Sequence, residues 1–303
     1  MTQTLISWLA GLAQAIKVWI TRIYYRASNA WAWRSNIYPG PFTDLEIPVG
    51  DTCITGRLYN NALGSARPLI VYIHGGGWVI GDLETHHAFC QNLSQASGCS
   101  VLALGYRLAP EHPFPAAPDD CLAATRWIAR HVAQLGCNNQ RLVIAGDSAG
   151  GNLTTCTCLE LDPASREKVA GEVLIYPATD HYSAGFRSYV ERAKGQALTA
   201  NITIWFWDTY LGDLSAEAPA AARAFPLRST KLASLPPTLL VTAEKDPLRD
   251  EGKAYAEALQ AQGVAVNYAH YASAQHGFAC SEGPHADFRR FMKQLTDWLS
   301  ELD

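Results

Sequence analysis

The sequence predicts an α/β protein: an eight-stranded, mostly parallel sheet flanked by helices, with an inserted helical subdomain. Three observations carry this. Beyond about residue 43, short β-rich runs alternate with longer helical segments, the mark of crossover connections in a parallel sheet. Of the 303 residues, 48% are hydrophobic and 17% charged, which rules out disorder and supplies a sizeable core. Roughly sixty residues then separate Tyr176 from Thr238, too many for a simple crossover and better suited to an insertion.

The opening segment carries Leu5, Ile6, Trp8, Leu9, Leu12, Ile16, Trp19, Ile20 and Ile23. Their spacing is helical and one-sided, so an amphipathic helix packed on the same protein is expected. A membrane-surface helix and a cleaved signal are the competing readings. Against a signal, no basic region precedes the segment, Gln14, Lys17 and Arg22 interrupt it, and no small-residue cleavage site follows.

Strands are expected at Leu45–Val49, Thr52–Tyr59, Leu69–Ile73, Ser100–Gly105, Arg141–Ala145, Val173–Tyr176, Thr238–Thr242 and Ala265–His270. Only Gly50 and Asp51 separate the first two, which therefore form an antiparallel hairpin. Helix-length segments separate the later ones, which should be parallel. Helices are expected at Ala117–Leu135, Ala149–Leu161, Leu198–Leu211, Leu248–Gln262 and Pro284–Leu302, and Asn60–Ser65 reads as a loop.

Twenty-four Lys and Arg against 28 Asp and Glu give a net charge of -4 without a dense basic cluster, so the footprint of a nucleic-acid binder is missing. A small neutral substrate fits better than a polyanion. Eight cysteines contain no C-x-x-C pair and no zinc-finger spacing, which signals neither metal nor redox motif. Cys156 and Cys158 project about 200° apart on a helix and cannot clamp one ion. Reduced, mostly buried cysteines favour the cytoplasm.

Three segments carry chemistry. Gly146-Asp147-Ser148-Ala149-Gly150 lies between an apolar strand and a helix. In that setting a G-x-S-x-G run forms a sharp elbow that lifts the Ser148 hydroxyl to the carboxyl edge of the sheet, beside free helix N–H groups. Alone, the run could be an ordinary Gly/Ser turn. His74-Gly75-Gly76-Gly77-Trp78 ends an earlier strand and exposes backbone N–H groups with no side chains in the way, as an oxyanion hole requires. A dinucleotide loop is the rival, but Ile80 fills the third glycine's place. His74 suits a loop-bracing hydrogen bond rather than a base. The third requirement is an acid and a histidine following in the order Ser, Asp, His. Asp246 and His276 each sit just beyond an expected strand end. Asp250 competes for the acid role but reads as a helix cap, and His86, His87, His131, His181 and His285 read as surface or helix-face residues.

With these residues in hand, the chain resembles the hormone-sensitive-lipase-like branch of the α/β-hydrolase fold, and is most similar to bacterial acetyl esterases and related carboxylesterases. The resemblance covers about residues 35–300. It rests on His74–Trp78 with Gly81–His86, on Tyr106–Glu111, on Gly146–Gly151, on Asp246–Gly252 and on His276-Gly277-Phe278. It implies Ser148 as nucleophile, His276 as general base and then acid, Asp246 as the group orienting the imidazole, and the N–H groups of Gly76, Gly77 and Ala149 as oxyanion donors. It also implies a cap from residues 1–43 and 180–215 over a catalytic domain of residues 44–179 and 216–303. Arg107 and Glu111 read as a structural ion pair.

The expected reaction is two-step hydrolysis of a small-molecule ester through an acyl-enzyme, with no cofactor and no metal. The aromatic density of Trp205, Phe206, Trp207 and Tyr210 in the cap suggests short acyl chains, and Trp78, Trp205 and Tyr210 are the candidate substrate contacts. An interfacial lipase, an amidase or lactonase with the same triad, and a non-catalytic ligand receptor are the alternatives. By analogy the expected assembly is a monomer, or a homodimer through an edge strand near Ala265–His270. Neither nucleic acid nor membrane is an expected partner.

Overall fold

The computed structural model describes residues 2–35, 40–59, 67–135, 137 and 139–302, with side chains of the first helix from residue 11 onward. The loop expected at Asn60–Ser65 lies outside these residues, as do the side chains of Leu5, Ile6, Trp8 and Leu9.

Helix α1 (Thr2–Trp33) outlasts the expected apolar stripe by ten residues, and it packs through a different face. Val18, Asn29 and Trp33 are buried, whereas Leu12, Ile16, Trp19, Ile20 and Ile23 are exposed. The expectation that this stripe packs on the protein is thereby corrected. The inner face is held largely by polar groups, which an apolar count misses. The Arg22 Nε–H donates to the Val79 carbonyl at 2.9 Å and its guanidinium grips Glu111, while the Trp33 indole N–H donates to the Cys280 carbonyl at 2.9 Å.

Strands β1 (Phe42–Val49) and β2 (Thr52–Tyr59) form the expected hairpin around Gly50. β3 (Leu69–Ile73) leads to α2 (His87–Ser97), a helix the sequence did not announce. No side chain caps its start, and Gln91, Asn92 and Ser94 point inward, so neither the start signal nor the apolar period is visible. β4 (Val101–Gly105) and α3 (Ala116–His131) follow, then β5 (Leu142–Asp147), α4 (Ala149–Glu160), α5 (Pro163–Arg166) and β6 (Val169–Ile175). Between β6 and the next strand lie α6 (Arg187–Glu191), α7 (Ala200–Leu211) and short 3₁₀ turns that continue to Ser234. β7 (Thr238–Lys245), α8 (Arg249–Ala261), β8 (Val266–Gln275) and α9 (Ala286–Glu301) complete the chain.

The strand order is β1-β2-β4-β3-β5-β6-β7-β8. β2 is antiparallel to β4, and every pairing from β3 onward is parallel. From β3 the chain runs outward to β4 and then returns to place β5 on the other side. This makes β3/β5 the switch point, where an open parallel sheet leaves a crevice at its carboxyl edge. Alternation along β3 divides the core: Leu69, Val71 and Ile73 pack with one helical layer, Ile70 and Tyr72 with the other.

The Arg107–Glu111 ion pair does not form. Residues 106–112 are not helical, so a spacing of four brings no contact. Arg107 instead pairs with buried Asp120 on α3 at 2.6 Å, and Glu111 pairs with Arg22 of α1 at 2.8 Å.

β6 carries a fully buried carboxyl, Glu172, one of whose oxygens accepts from the Thr238 hydroxyl at 3.1 Å. Burial raises its pKa to about 7. Because the folded value exceeds the unfolded one, its stabilising contribution is full below about pH 4.5 and is lost as pH rises through 7. Glu172→Gln removes this dependence. Denaturation at pH 5 and pH 8 should therefore show the variant gaining roughly 2.5 kcal/mol on the wild type at the higher pH. Identical pH dependence in both proteins would contradict this.

Candidate active site

Three elements deliver three side chains to the switch point. At the end of β5, Ser148 takes φ 57° and ψ -118°, a strained conformation for a residue with a Cβ. The elbow closes tightly because a Cβ on Gly150 would lie 2.0 Å from the Ile73 carbonyl oxygen. Ser148 precedes the first residue of α4, so the helix N-terminus and its dipole face the same point.

The acid and the histidine are set by the β7/β8 ladder. Lys245 pairs with Gln275 after a register shift, and the next residue on each strand is Asp246 and His276. The His276 N–H donates to the Lys245 carbonyl at 3.3 Å. Asp246 is fully buried, and its Oδ1 accepts from the Leu248 N–H at 2.8 Å. Its Oδ2 lies 2.7 Å from His276 Nδ1, and His276 Nε2 lies 2.9 Å from Ser148 Oγ. In the tautomer this network requires, Nδ1–H donates to the carboxylate and Nε2 accepts the serine proton.

Asp250 does not cap α8, because the helix begins at Arg249, leaving Asp250 inside its first turn. Its carboxylate accepts from the Ser188 N–H at 2.8 Å and pairs with Arg249, while Asp246 is the acid on His276.

The glycine loop faces the serine. Gly76, Gly77, Ala149, Ser148 and His276 share the wall of one cavity of about 420 Å³. Gly77 has φ 58°, and a Cβ there would meet the Phe206 ring at 2.1 Å, so a side chain would both strain the loop and fill the cavity. His74 is buried, stacks on Tyr106 at 4.3 Å and hydrogen-bonds the Gly75 carbonyl through Nδ1 at 2.8 Å. Burial and neighbouring His86 depress its pKa to about 4, so it braces the loop as a neutral ring.

Asp147 is a residue that sequence reasoning passed over. Its Oδ1 accepts from the Gly75 N–H at 2.8 Å and from the Tyr72 hydroxyl at 2.7 Å, tying the glycine loop to the serine elbow. Burial alone would raise its pKa, but His86, Tyr72 and the Gly75 N–H outweigh this and hold it below the ordinary carboxylate value. His86, expected at the surface or on a helix face, is buried with Nε2 3.3 Å from that carboxylate. The available signal was an acid at the end of an otherwise apolar strand.

Of the expected substrate contacts, Trp78 lines the cavity, but Trp205 and Tyr210 do not. Tyr210 is buried, stacked on the far side of Trp78 at 4.3 Å, and Trp205 lies beneath Lys17. Phe206 and Trp207 line the cavity instead, with Ile202 and Thr203 from the same face of α7, and Thr21, Tyr24, Tyr25 and Ser28 enter from α1. A buried carboxylate, Glu251, fastens the segment between sheet and α7. It accepts from the Thr179 N–H at 2.7 Å and the Tyr189 hydroxyl at 3.0 Å, and burial raises its pKa well above the ordinary value. All eight cysteines are free, with only Cys53 exposed, and no helix among the described residues is long and apolar enough to cross a membrane.

An eight-stranded, mostly parallel sheet with a serine elbow at its switch point defines an α/β hydrolase. Residues 70–280 match the family model of the alpha/beta hydrolase fold, and the chain belongs to that family. Among its relatives it is 43% identical over 250 residues to carboxylic ester hydrolase LipN of Mycobacterium tuberculosis, covering 79% of this chain and 66% of LipN. It is 41% identical to an ethyl acetate hydrolase of Pseudomonas putida, covering 79% of this chain and 76% of that protein. A solved esterase structure from Pyrobaculum calidifontis superposes with a TM-score of 0.87 at 35% identity, over 94% of this chain and 93% of the other.

Proposed function

We propose that the chain is a serine carboxylesterase that hydrolyses small, short-chain acyl esters through an acyl-enzyme. The observation that carries this reading is the unbroken line from Ser148 Oγ through His276 to buried Asp246. Ser148 attacks the ester carbonyl as His276 takes its proton. The tetrahedral oxyanion is held by the N–H groups of Gly76, Gly77 and Ala149. The alcohol leaves with the proton from His276, and water repeats the sequence on the acyl-enzyme. Helix α1 and residues 180–215 act as the cap, whose expected boundary at residue 43 moves back because Phe42 and Thr43 already pair in the sheet, and the free cysteines support a reducing compartment such as the cytoplasm.

The cavity supports the short-chain part of the reading. Trp78, Phe206 and Trp207 wall it, and Phe206 stands against Gly77, which limits the depth left for an acyl tail. Along a p-nitrophenyl ester series, kcat/KM should peak between acetate and hexanoate. A maximum at decanoate or longer would overturn the short-chain assignment while leaving ester hydrolysis intact.

A further inference from the structure

The exposed face of α1 has no partner among the described residues. Single apolar side chains at a surface are ordinary, but a contiguous row of large ones marks an interaction site. Trp19 is 64% and Trp31 67% exposed, and Leu12, Ile16, Ile20 and Ile23 lie open beside them.

At about 100° per residue, Leu12, Ile16, Trp19, Ile20 and Ile23 fall within one sector of the helix. Tyr24 comes next around the circumference, then Ser28 and Thr21, and these three line the catalytic cavity. Tyr24 belongs to both surfaces, being exposed and also part of the cavity wall. Ile202 of α7, likewise exposed, continues the apolar rim on the other side of the mouth. Whatever covers the α1 face therefore lies beside the entrance to Ser148.

Charge selects the occupant. Residues 1–43 contain Lys17, Arg22, Arg26 and Arg34 and no acid, in a chain of net charge -4. Arg22 and Arg26 are engaged by Glu111 and Asp82 on one flank. Lys17, on the same side of the helix as Tyr24 and 4.1 Å over the Trp205 ring of α7, and Arg34, just past the helix end and 4.0 Å over Trp31, add charge at the border of the open face without an acidic partner among the described ion pairs. A second copy docked face to face by a two-fold axis would bring a segment with cations and no acid against its own copy, whereas an anionic surface would satisfy the cations. Tryptophan and tyrosine at the border of an apolar face favour the lipid–water interface, where a ring meets chains and headgroups together. The helix is not apolar enough to span, so it lies along such a surface.

We propose that α1 docks the protein on an anionic lipid surface, with the mouth of the catalytic cavity opening onto it. The test is flotation of the full chain with phosphatidylcholine vesicles, with and without phosphatidylglycerol, beside the double variant Trp19→Gln/Ile23→Gln. Neither substituted residue lines the cavity, so p-nitrophenyl butyrate hydrolysis and thermal melting serve as controls and should be unchanged. The wild type should float with the mixed vesicles, bind phosphatidylcholine alone weakly, and lose binding in added salt, while the variant partitions at least about tenfold less. Absence of flotation, or a variant that floats as well as the wild type, would overturn the proposal. So would light scattering that shows a wild-type dimer which the variant converts to monomer. Because flotation needs no catalysis, these outcomes are distinct from any failure of the esterase reading.

Discussion

Replacing Ser148 with alanine is expected to lower kcat/KM for p-nitrophenyl butyrate by about 10⁵- to 10⁶-fold, the scale of losing a nucleophile whose base remains in place. The fold should survive. The Ser148 side chain makes no capping bond to α4, so alanine deletes one hydroxyl and one contact with His276 without orphaning a helix terminus. The oxyanion donors and cavity walls are untouched, and the residual rate would report what they accomplish alone. Melting temperature measured beside activity separates chemistry from unfolding. A loss below about tenfold in a folded variant would exclude covalent catalysis by Ser148.

Asp246→Asn is the second large effect, an expected drop of about 10⁴-fold in kcat with little change in KM. Asp246 holds two donors, the Leu248 N–H and His276 Nδ1–H, and is sealed from water. An asparagine keeps the first by turning its oxygen toward Leu248, which aims its amide N–H at Nδ1. The ring then carries its proton on Nε2, where it can no longer accept from Ser148. The imidazolium also loses its counter-charge as it forms. Pre-steady-state acylation kinetics should show the defect in the chemical steps rather than in binding.

The parts legible in the sequence were those fixed by local chemistry. The Gly50-Asp51 turn, the elbow around Ser148 and the glycines after β3 announce themselves because backbone geometry demands those residues in short order. The opposition of Asp246 and His276 could be read only as an order along the chain. Its physical cause, the Lys245–Gln275 pairing after a register shift, is a property of two strands together. α2 escaped because its polar residues face inward and nothing caps its start. Which α7 aromatics line the pocket is not legible in the sequence, because α7 is aromatic on several sides, and only its docking against Trp78 turns Phe206 and Trp207 to the cavity and Tyr210 to the core. α1 misled in the same way: apolar period marks a face, and polar contacts through Arg22, Tyr25 and the Trp33 indole decided which face packs.

The central claim is that Ser148 is the nucleophile of an acyl-transfer site. It is tested most directly by treating the native protein with diethyl p-nitrophenyl phosphate, whose phosphorus such a serine attacks with release of p-nitrophenolate. Mass spectrometry would locate the diethylphosphoryl group. The expected result is one adduct per chain, on Ser148, formed in parallel with loss of ester hydrolysis. Full inactivation with Ser148 unmodified, or an adduct on another residue, would contradict the mechanism.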